Sequence, residues 1–253
     1  MSVPAPARGF DLAADTYERA RPEYPPEAVA WLAERLDLRP GRTVVDVAAG
    51  TGKLTRALVG TGARVVAVEP LAQMRRVLQE AVPEADALEG TAEALPLPDA
   101  SADAVTVAAA FHWFDIPRAL EEFARVLRPG GALGLVWNVR DLRVQIHQEL
   151  DVLLEPHSLA VSRARDFDAT EHFPQDAFGP LERAEFTHEQ RFDADGLVER
   201  IASISFVAIL PDDERAELLE RVRAVGKRYE APFSFPYRTE AFVSRRNQQA
   251  AAN

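Results

Sequence analysis

The stretch Thr43-Val44-Val45-Asp46-Val47-Ala48-Ala49-Gly50-Thr51-Gly52-Lys53 decides the fold. It opens as a β-branched apolar run, which suits a pleated surface and, buried on both faces, reads as a parallel strand. It closes in small residues, which clear side chains from a place where the backbone must turn sharply and approach a ligand. Leu54 to Leu58 then resumes with helical spacing. Strand, glycine-rich turn and helix in that order make the first half of a nucleotide-binding βαβ unit, with its ligand at the carboxyl end of the strand.

The next strand supports that reading. Arg64-Val65-Val66-Ala67-Val68 is apolar and ends in Glu69, 23 residues after Asp46 (69 − 46). An acidic side chain at that tip, roughly 20 residues past the glycine loop, accepts hydrogen bonds from both ribose hydroxyls and repels a 2′-phosphate. The alternative is a generic doubly wound sheet with solvated loop acids. Loop and acid occurring together favour the nucleoside.

Outward from these strands the pattern alternates. Phe10 to Ala20 has helical spacing, and Arg19-Ala20-Arg21-Pro22-Glu23-Tyr24-Pro25 makes a rigid turn before a helix over Pro26 to Leu36, with Pro26 suited to the first helical position. That turn either packs on the surface or clamps a carboxylate, for which Arg geometry is suited. Helices are expected over Leu71 to Ala81 and Pro117 to Leu127. Strands are expected over Ala85 to Glu89, Ala104 to Ala108 and Ala132 to Trp137. Such alternation implies a mainly parallel sheet with right-handed crossovers. Past Asn138, Leu142 to Leu154 is amphipathic and 155–182 has no clear period. A sixth strand follows over Glu185 to Phe192, then helices over Asp195 to Ile204 and Pro211 to Tyr229, and a seventh strand over Ser234 to Ser244.

The expected fold is therefore α/β: a doubly wound, mainly parallel seven-stranded sheet with N-terminal helices and a C-terminal helical cap insertion. Its divisions are 1–40, an N-terminal helical lid; 41–141, the cofactor-binding core; 142–182, a substrate-side cap; 183–244, the rest of the sheet with helices; and 245–253, a polar tail expected to fray.

Composition narrows the partners. The 253 residues are enough for a sizeable core, and 47% are hydrophobic, as in a water-soluble globular protein. No apolar run approaches the roughly 18 residues of a membrane span, and Met1-Ser2-Val3-Pro4-Ala5-Pro6 lacks a signal-peptide pattern. A cytoplasmic protein off the membrane is expected. Zero cysteines exclude disulfides, thiolate catalysis and Cys-ligated zinc. A net charge of −11 argues against nucleic acid, whose affinity comes largely from Lys and Arg on phosphates. His147, His157, His172 and His188 lack His-x-x-x-His spacing, so no metal is expected. The oligomeric state stays open.

With these segments in place, Tyr17 to Asp141 resembles the class I S-adenosylmethionine-dependent methyltransferases. The carriers are Asp46-x-Ala48-x-Gly50-x-Gly52, Glu69, Gly90-Thr91-Ala92-Glu93-x-Leu95-Pro96 and Leu127-Arg128-Pro129-Gly130-Gly131. Ala48 stands where Gly is usual. Arg21-Pro22-x-Tyr24-Pro25, Ala110-Phe111-His112-Trp113-Phe114 and Trp137-Asn138-Val139-Arg140-Asp141 are similar to the small-molecule branch that includes trans-aconitate methyltransferase-like enzymes.

The resemblance implies S-adenosyl-L-methionine as cofactor and assigns roles. Ala48, Ala49, Gly50 and Gly52 would lie against its methionine part, with Asp46 orienting it. Glu69 would hold the ribose, Pro70 and Met74 would flank the adenine, and Thr91, Ala92 and Glu93 would contact the adenine edge. Ala109, Ala110 and Phe111 would border the sulfonium, and Tyr17 and Arg21 would cover the cofactor's carboxylate. His112, Trp113, Trp137 and Arg140 would meet a small-molecule substrate.

A sulfonium methyl is already electrophilic, so the protein's main tasks are in-line positioning and exclusion of water. A carboxylate acceptor needs no base. A hydroxyl or amine does, and His112, just past the fourth strand, is the candidate catalytic group, against the reading of an imidazole that packs the pocket wall. Residues 142–230 are where acceptor choice is expected, and Arg140, Arg143, Arg163 and Arg165 suit an acidic acceptor. The expected activity is methyl transfer to a small molecule, at oxygen. A nicotinamide-dependent oxidoreductase is the enzyme alternative, but the loop Gly50-Thr51-Gly52-Lys53-Leu54-Thr55 lacks the third Gly of G-x-G-x-x-G. A protein that binds the cofactor without catalysis is the non-enzyme alternative.

Overall fold

A computed structural model describes residues 8–158 and 177–247. Seven strands form one sheet in the order β3-β2-β1-β4-β5-β7-β6. They are β1 (Thr43–Val47), β2 (Arg64–Val68), β3 (Asp86–Leu88), β4 (Ala102–Ala108), β5 (Leu127–Arg140), β6 (Glu182–Phe192) and β7 (Phe233–Arg245). The pairs β1–β2, β1–β4, β2–β3 and β4–β5 are all parallel. The seven-stranded, mainly parallel doubly wound sheet expected from the sequence is present.

The chain divides into two compact units. A core unit takes Glu23–Trp137, Phe167–Phe186 and Thr239–Asn253. A helical unit takes Met1–Pro22, Asn138–Asp166 and Thr187–Arg238.

In the core unit, strand alternation explains the layers. Val45, Val47, Val66, Val68, Val105 and Val107 point to one face, where they pack with Ala119, Leu120 and Phe123 of α6 (Ile116–Val126). Val44, Val65 and Ala104 point to the other, against Leu32 and Leu36 at α3 (Pro26–Arg35) and Leu54 and Leu58 of α4 (Lys53–Val59). Burial of both faces is what makes these strands near-continuous apolar runs. Leu78 of α5 (Ala72–Ala81) packs with Ala49 and Ala67.

The amino ends of β1 and β4 are tied by Asp103, whose carboxylate accepts from the Thr43 amide at 2.8 Å, Arg42 Nη1 at 3.0 Å and Arg128 Nη1 at 2.7 Å. Those bonds hold the Asp103 carboxyl below its usual pKa, against the opposing effect of burial.

In the helical unit, one cluster gathers Ile146, Leu150 and Leu154 of α7 (Gln145–Ser158), Leu197 and Ile201 of α8 (Ala194–Ala202), and Val207 of α9 (Ser205–Ala208). Leu218, Val222 and Val225 of α10 (Asp212–Gly226) and Phe235 and Tyr237 of β7 complete it.

Several boundaries differ from the sequence expectations. The helix over Phe10 to Ala20 is two helices, α1 (Arg8–Leu12) and α2 (Ala14–Ala20), because Ala13 has φ −110° and ψ 16° and its amide reaches only back to the Phe10 carbonyl. The helix over Asp195 to Ile204 starts one residue earlier, where Asp193 caps it by accepting from the Gly196 amide at 2.8 Å, and breaks before Ser205. The last helix stops at Gly226 rather than Tyr229.

The Pro129-Gly130-Gly131 turn lies inside β5. Ala102 pairs with Leu127 and Ala104 with Ala132, so three extra residues bulge from β5 there. At the start of the expected tail, the Arg246 amide donates to the Gly131 carbonyl at 2.8 Å and the Asn247 amide to the Ala177 carbonyl at 2.9 Å. Arg163, Arg165 and His172 lie outside the described residues. No helix among the described residues is long and apolar enough to cross a membrane.

Candidate functional site

The strand order reverses at β1, which has β2 on one side and β4 on the other. In an open α/β sheet a ligand binds outside the carboxyl ends of the strands at such a switch point. Both tips carry unusual backbone here. Ala48 after β1 has φ 53°, and Ala109 after β4 has φ 54°. A left-handed alanine costs about 1–2 kcal/mol. Both are held by neighbouring strands: the Ala49 amide donates to the Val68 carbonyl at 3.2 Å, and the Ala109 amide to the Val136 carbonyl at 2.8 Å. Strain at two adjacent tips is the kind that clusters at ligand clamps.

The loop between β1 and α4 is pinned from both sides. Glu69, 3% exposed at the tip of β2, accepts from the Gly50 amide through Oε2 at 2.8 Å and from the Leu71 amide through Oε1 at 2.9 Å. It thus fixes the loop from the tip of the second strand. Behind the loop, Asp46 is fully buried, accepting from Thr55 Oγ1 at 2.6 Å and Thr106 Oγ1 at 2.9 Å. Burial raises its pKa to about 6 in spite of those hydroxyls. It joins β1, β4 and α4 at the base of the loop.

Two observations test whether this loop suits a polar ligand. Among the described residues, the buried Thr51 hydroxyl has no hydrogen-bond partner, and a side chain built on Gly50 would meet nothing within 4 Å. A polar atom to satisfy and open space above the backbone fit a bound nucleoside cofactor. Gly52 is tighter: at φ 89°, an added Cβ would sit 3.0 Å from Val82 Cγ2 and 3.2 Å from Leu78 Cγ. Gly52→Ala is expected to destabilise the protein by about 1–3 kcal/mol, read by denaturant unfolding. Unchanged stability would refute the tight-packing account.

The remaining candidates separate into half-exposed and buried groups. Pro70, Leu71, Thr91, Ala109 and Ala110 are half-buried at the strand tips. Met74 and Ala92 are buried, and Phe111 is fully buried, edge-on to Phe114 at 5.9 Å. Glu93 accepts from the Asp115 amide at 3.0 Å, tying its loop to the start of α6. Among site residues the sequence reading did not name Leu71, whose amide donates to Glu69 Oε1 at 2.9 Å. Its position directly after Glu69-Pro70 was the available signal.

His112 and Trp113 lie in a single 3-10 turn (Phe111–Trp113) after β4, with ring centroids 4.9 Å apart. Burial lowers the His112 pKa to about 4, so it is neutral at neutral pH. Trp137, half-buried, meets Phe242 edge-on at 5.9 Å. Among the described residues no group of three or more His, Cys, Asp or Glu can hold a metal ion.

Tyr17, Arg21 and Arg140 belong to the helical unit. Arg21 bonds Ser203, and Arg140 pairs with Asp151 at 3.2 Å. Arg143 is exposed and pairs with Asp141 at 2.8 Å, which holds that carboxyl down near 2.

A methyltransferase domain family matches residues 45–135, the span from β1 through most of β5. An uncharacterized methyltransferase of Mycobacterium tuberculosis is 43% identical over 217 residues, covering 85% of this chain and 84% of that protein. The chain belongs to the methyltransferases. A putative methyltransferase from an antibiotic biosynthesis pathway of Anabaena variabilis shares this methyltransferase's fold with TM-score 0.62, at 24% identity over 85% of this chain and 96% of that one. So does phosphoethanolamine N-methyltransferase 2 of Haemonchus contortus, solved with phosphomonomethylethanolamine and S-adenosylhomocysteine. Its TM-score is 0.56 at 18% identity, over 94% of this chain and 58% of that one.

Proposed function

We propose that this methyltransferase binds S-adenosyl-L-methionine at the carboxyl ends of β1, β2 and β4 and methylates an oxygen atom of a small-molecule acceptor. The observation that carries the reading is Glu69, at the tip of β2, bonded to the Gly50 amide of a loop with an unsatisfied Thr51 hydroxyl. Glu69 holds the ribose, Pro70 and Leu71 flank the adenine, and the Ala48 to Gly52 backbone receives the methionine part. Asp46 works from behind, keeping the loop in place through Thr55 and Thr106.

When bound, the cofactor supplies an electrophilic methyl group on a sulfonium. The chain's residues then have to position the acceptor, exclude water and deal with any proton. His112 is too weak a base to deprotonate an alcohol efficiently, because its conjugate acid titrates at about 4. A neutral imidazole there orients an acceptor by hydrogen bonding, which favours an acceptor oxygen that already carries negative charge.

The test is calorimetric titration with S-adenosylhomocysteine, with NADH in parallel. Micromolar binding of the first and none of the second is expected. The reverse result would overturn the assignment of the loop and with it the proposed reaction.

A further inference from the structure

Two charged side chains of α6 reach the backbone of a neighbouring loop in the core unit. Glu122 Oε1 accepts from the Leu95 amide at 2.7 Å. Arg125 donates from Nη2 to the Leu95 carbonyl at 3.3 Å and from Nη1 to the Leu97 carbonyl at 2.9 Å. The two also grip each other. Arg125 Nε donates to Glu122 Oε2 at 2.8 Å and Nη2 to Oε1 at 2.7 Å, a planar fork that a lysine cannot make. Each bond favours the charged form of its partner, so the Glu122 carboxyl lies below its ordinary pKa and the Arg125 guanidinium above. Asp99 adds a further bond, accepting from Arg125 Nη1 at 2.6 Å. Three residues apart, Glu122 and Arg125 share one helical face, while Ala119, Leu120 and Phe123 pack α6 on the sheet.

The same helix holds the loop a second time, through the Asp115 amide at its start and Glu93 Oε1. Inside the loop the Ala94 amide donates to the Thr91 carbonyl at 3.2 Å. Thr91 to Ala94 is therefore a tight turn, pinned at Glu93 and again at Leu95. On its other side the loop is pressed against β2: a Cβ added to Gly90 would come 2.7 Å from Pro96 Cδ and 2.9 Å from Val68 Cγ1. That strand tip is tied in turn by Arg75 of α5, which donates to the Glu69 carbonyl at 2.7 Å and to Glu89 Oε2 at 2.8 Å. Partly exposed ion pairs contribute little to stability. What these bonds accomplish is to fix the place of one short turn.

We propose that Glu122 and Arg125 are positioning residues that, by fixing the turn Thr91 to Ala94, let the protein discriminate the adenine of its cofactor from other purines. This role rests on the S-adenosyl-L-methionine reading, in which Thr91, Ala92 and Glu93 meet the adenine edge. Adenine presents an amino donor beside a ring-nitrogen acceptor. Hypoxanthine presents the reverse, a carbonyl acceptor beside an N–H donor. Backbone groups held in place pair with one pattern and are left unpaired against the other, whereas a loose turn re-orients to suit either.

S-adenosylhomocysteine and S-inosylhomocysteine, its deaminated analogue, are titrated by calorimetry into the full chain. Wild type is expected to prefer the adenine ligand by at least about tenfold. In Arg125→Met and in Glu122→Ala that ratio should fall toward one. Glu122→Gln, which still offers an acceptor to the Leu95 amide, should restore most of it. Asp103→Asn loosens the amino ends of β1 and β4, at the opposite end of the strands, and should keep the wild-type ratio. Equal binding of both ligands by wild type would overturn the proposal, as would an unchanged ratio in Arg125→Met. A ratio lost equally in Asp103→Asn would also overturn it, by tracing the effect to general destabilisation. Should Arg125→Met not fold, Arg125→Lys, which keeps the charge without the fork, decides by the same ratio. No S-adenosylhomocysteine binding by wild type would refute the cofactor reading itself, a result distinct from binding without discrimination.

Discussion

Replacing Glu69 with Ala is expected to weaken S-adenosylhomocysteine binding by about two to four orders of magnitude. Two ribose hydroxyls bonded to a charged acceptor contribute about 1.5–3 kcal/mol each, or about 3–6 kcal/mol together. The side chain is 3% exposed and already oriented by the Gly50 and Leu71 amides, so little ordering cost offsets that gain on binding. Its removal also frees the Gly50 amide and loosens the loop. Glu69→Gln should fall between the two, since its amide nitrogen cannot accept a bond. Calorimetry at one pH measures all three proteins, and a dissociation constant in Glu69→Ala equal to wild type would sink the ribose assignment.

The second large effect concerns pH. Burial holds His112 and His147 neutral, each with its pKa lowered to about 4, and the His147 ring donates from Nε2 to the Pro236 carbonyl at 2.7 Å. The unfolded chain binds these protons near 6.5, so between about 6.5 and 4 it holds more protons than the native state. Stability therefore falls as pH drops through that window, by about 3 kcal/mol for each histidine.

Asp46 acts in the opposite direction. Its folded pKa of about 6 lies above the unfolded value, so the native state holds the extra proton between about 4 and 6. Acidification there returns about 2 kcal/mol. The net expectation from these three groups is a loss of about 3 kcal/mol from pH 7 to pH 4. His147→Asn, which can still donate to the Pro236 carbonyl, should remove about 3 kcal/mol of the fall, and Asp46→Asn should steepen it. Urea unfolding across the pH series checks both signs. A variant with the wild-type slope would exclude its residue as a source.

What the sequence disclosed follows the same physics. Val44, Val45 and Val47 are buried on both faces between β2 and β4, and such strands can only be apolar runs, so their position and the order of elements were legible. Glu69 was legible because strand length and loop length fix where the second tip must fall. The segments that carry Met74 and Glu93 were legible from position along the chain. Their side-chain settings, Met74 buried on its helix and Glu93 accepting from the Asp115 amide, come from packing. Asp193, an N-cap residue, was visible in principle as an Asp before a helical run. Arg200 and Ser203 were not: they resemble any polar residues on an amphipathic helix, and only the fold brings them to Arg21, 182 residues from Ser203 in the chain. The split at Ala13 left no signal, since alanine favours helix everywhere.

The Asp103 tie at the amino ends of β1 and β4 has a consequence for how the molecule comes apart. The amides of Val44 to Val47 are covered by strands on both sides, and the Asp103 carboxylate closes the end from which fraying would start. Hydrogen exchange of such amides proceeds only through global opening. The strand that carries the Ala48–Gly52 loop is thus among the last to be released, and heat should remove the fold and the proposed S-adenosylhomocysteine binding in one transition rather than two.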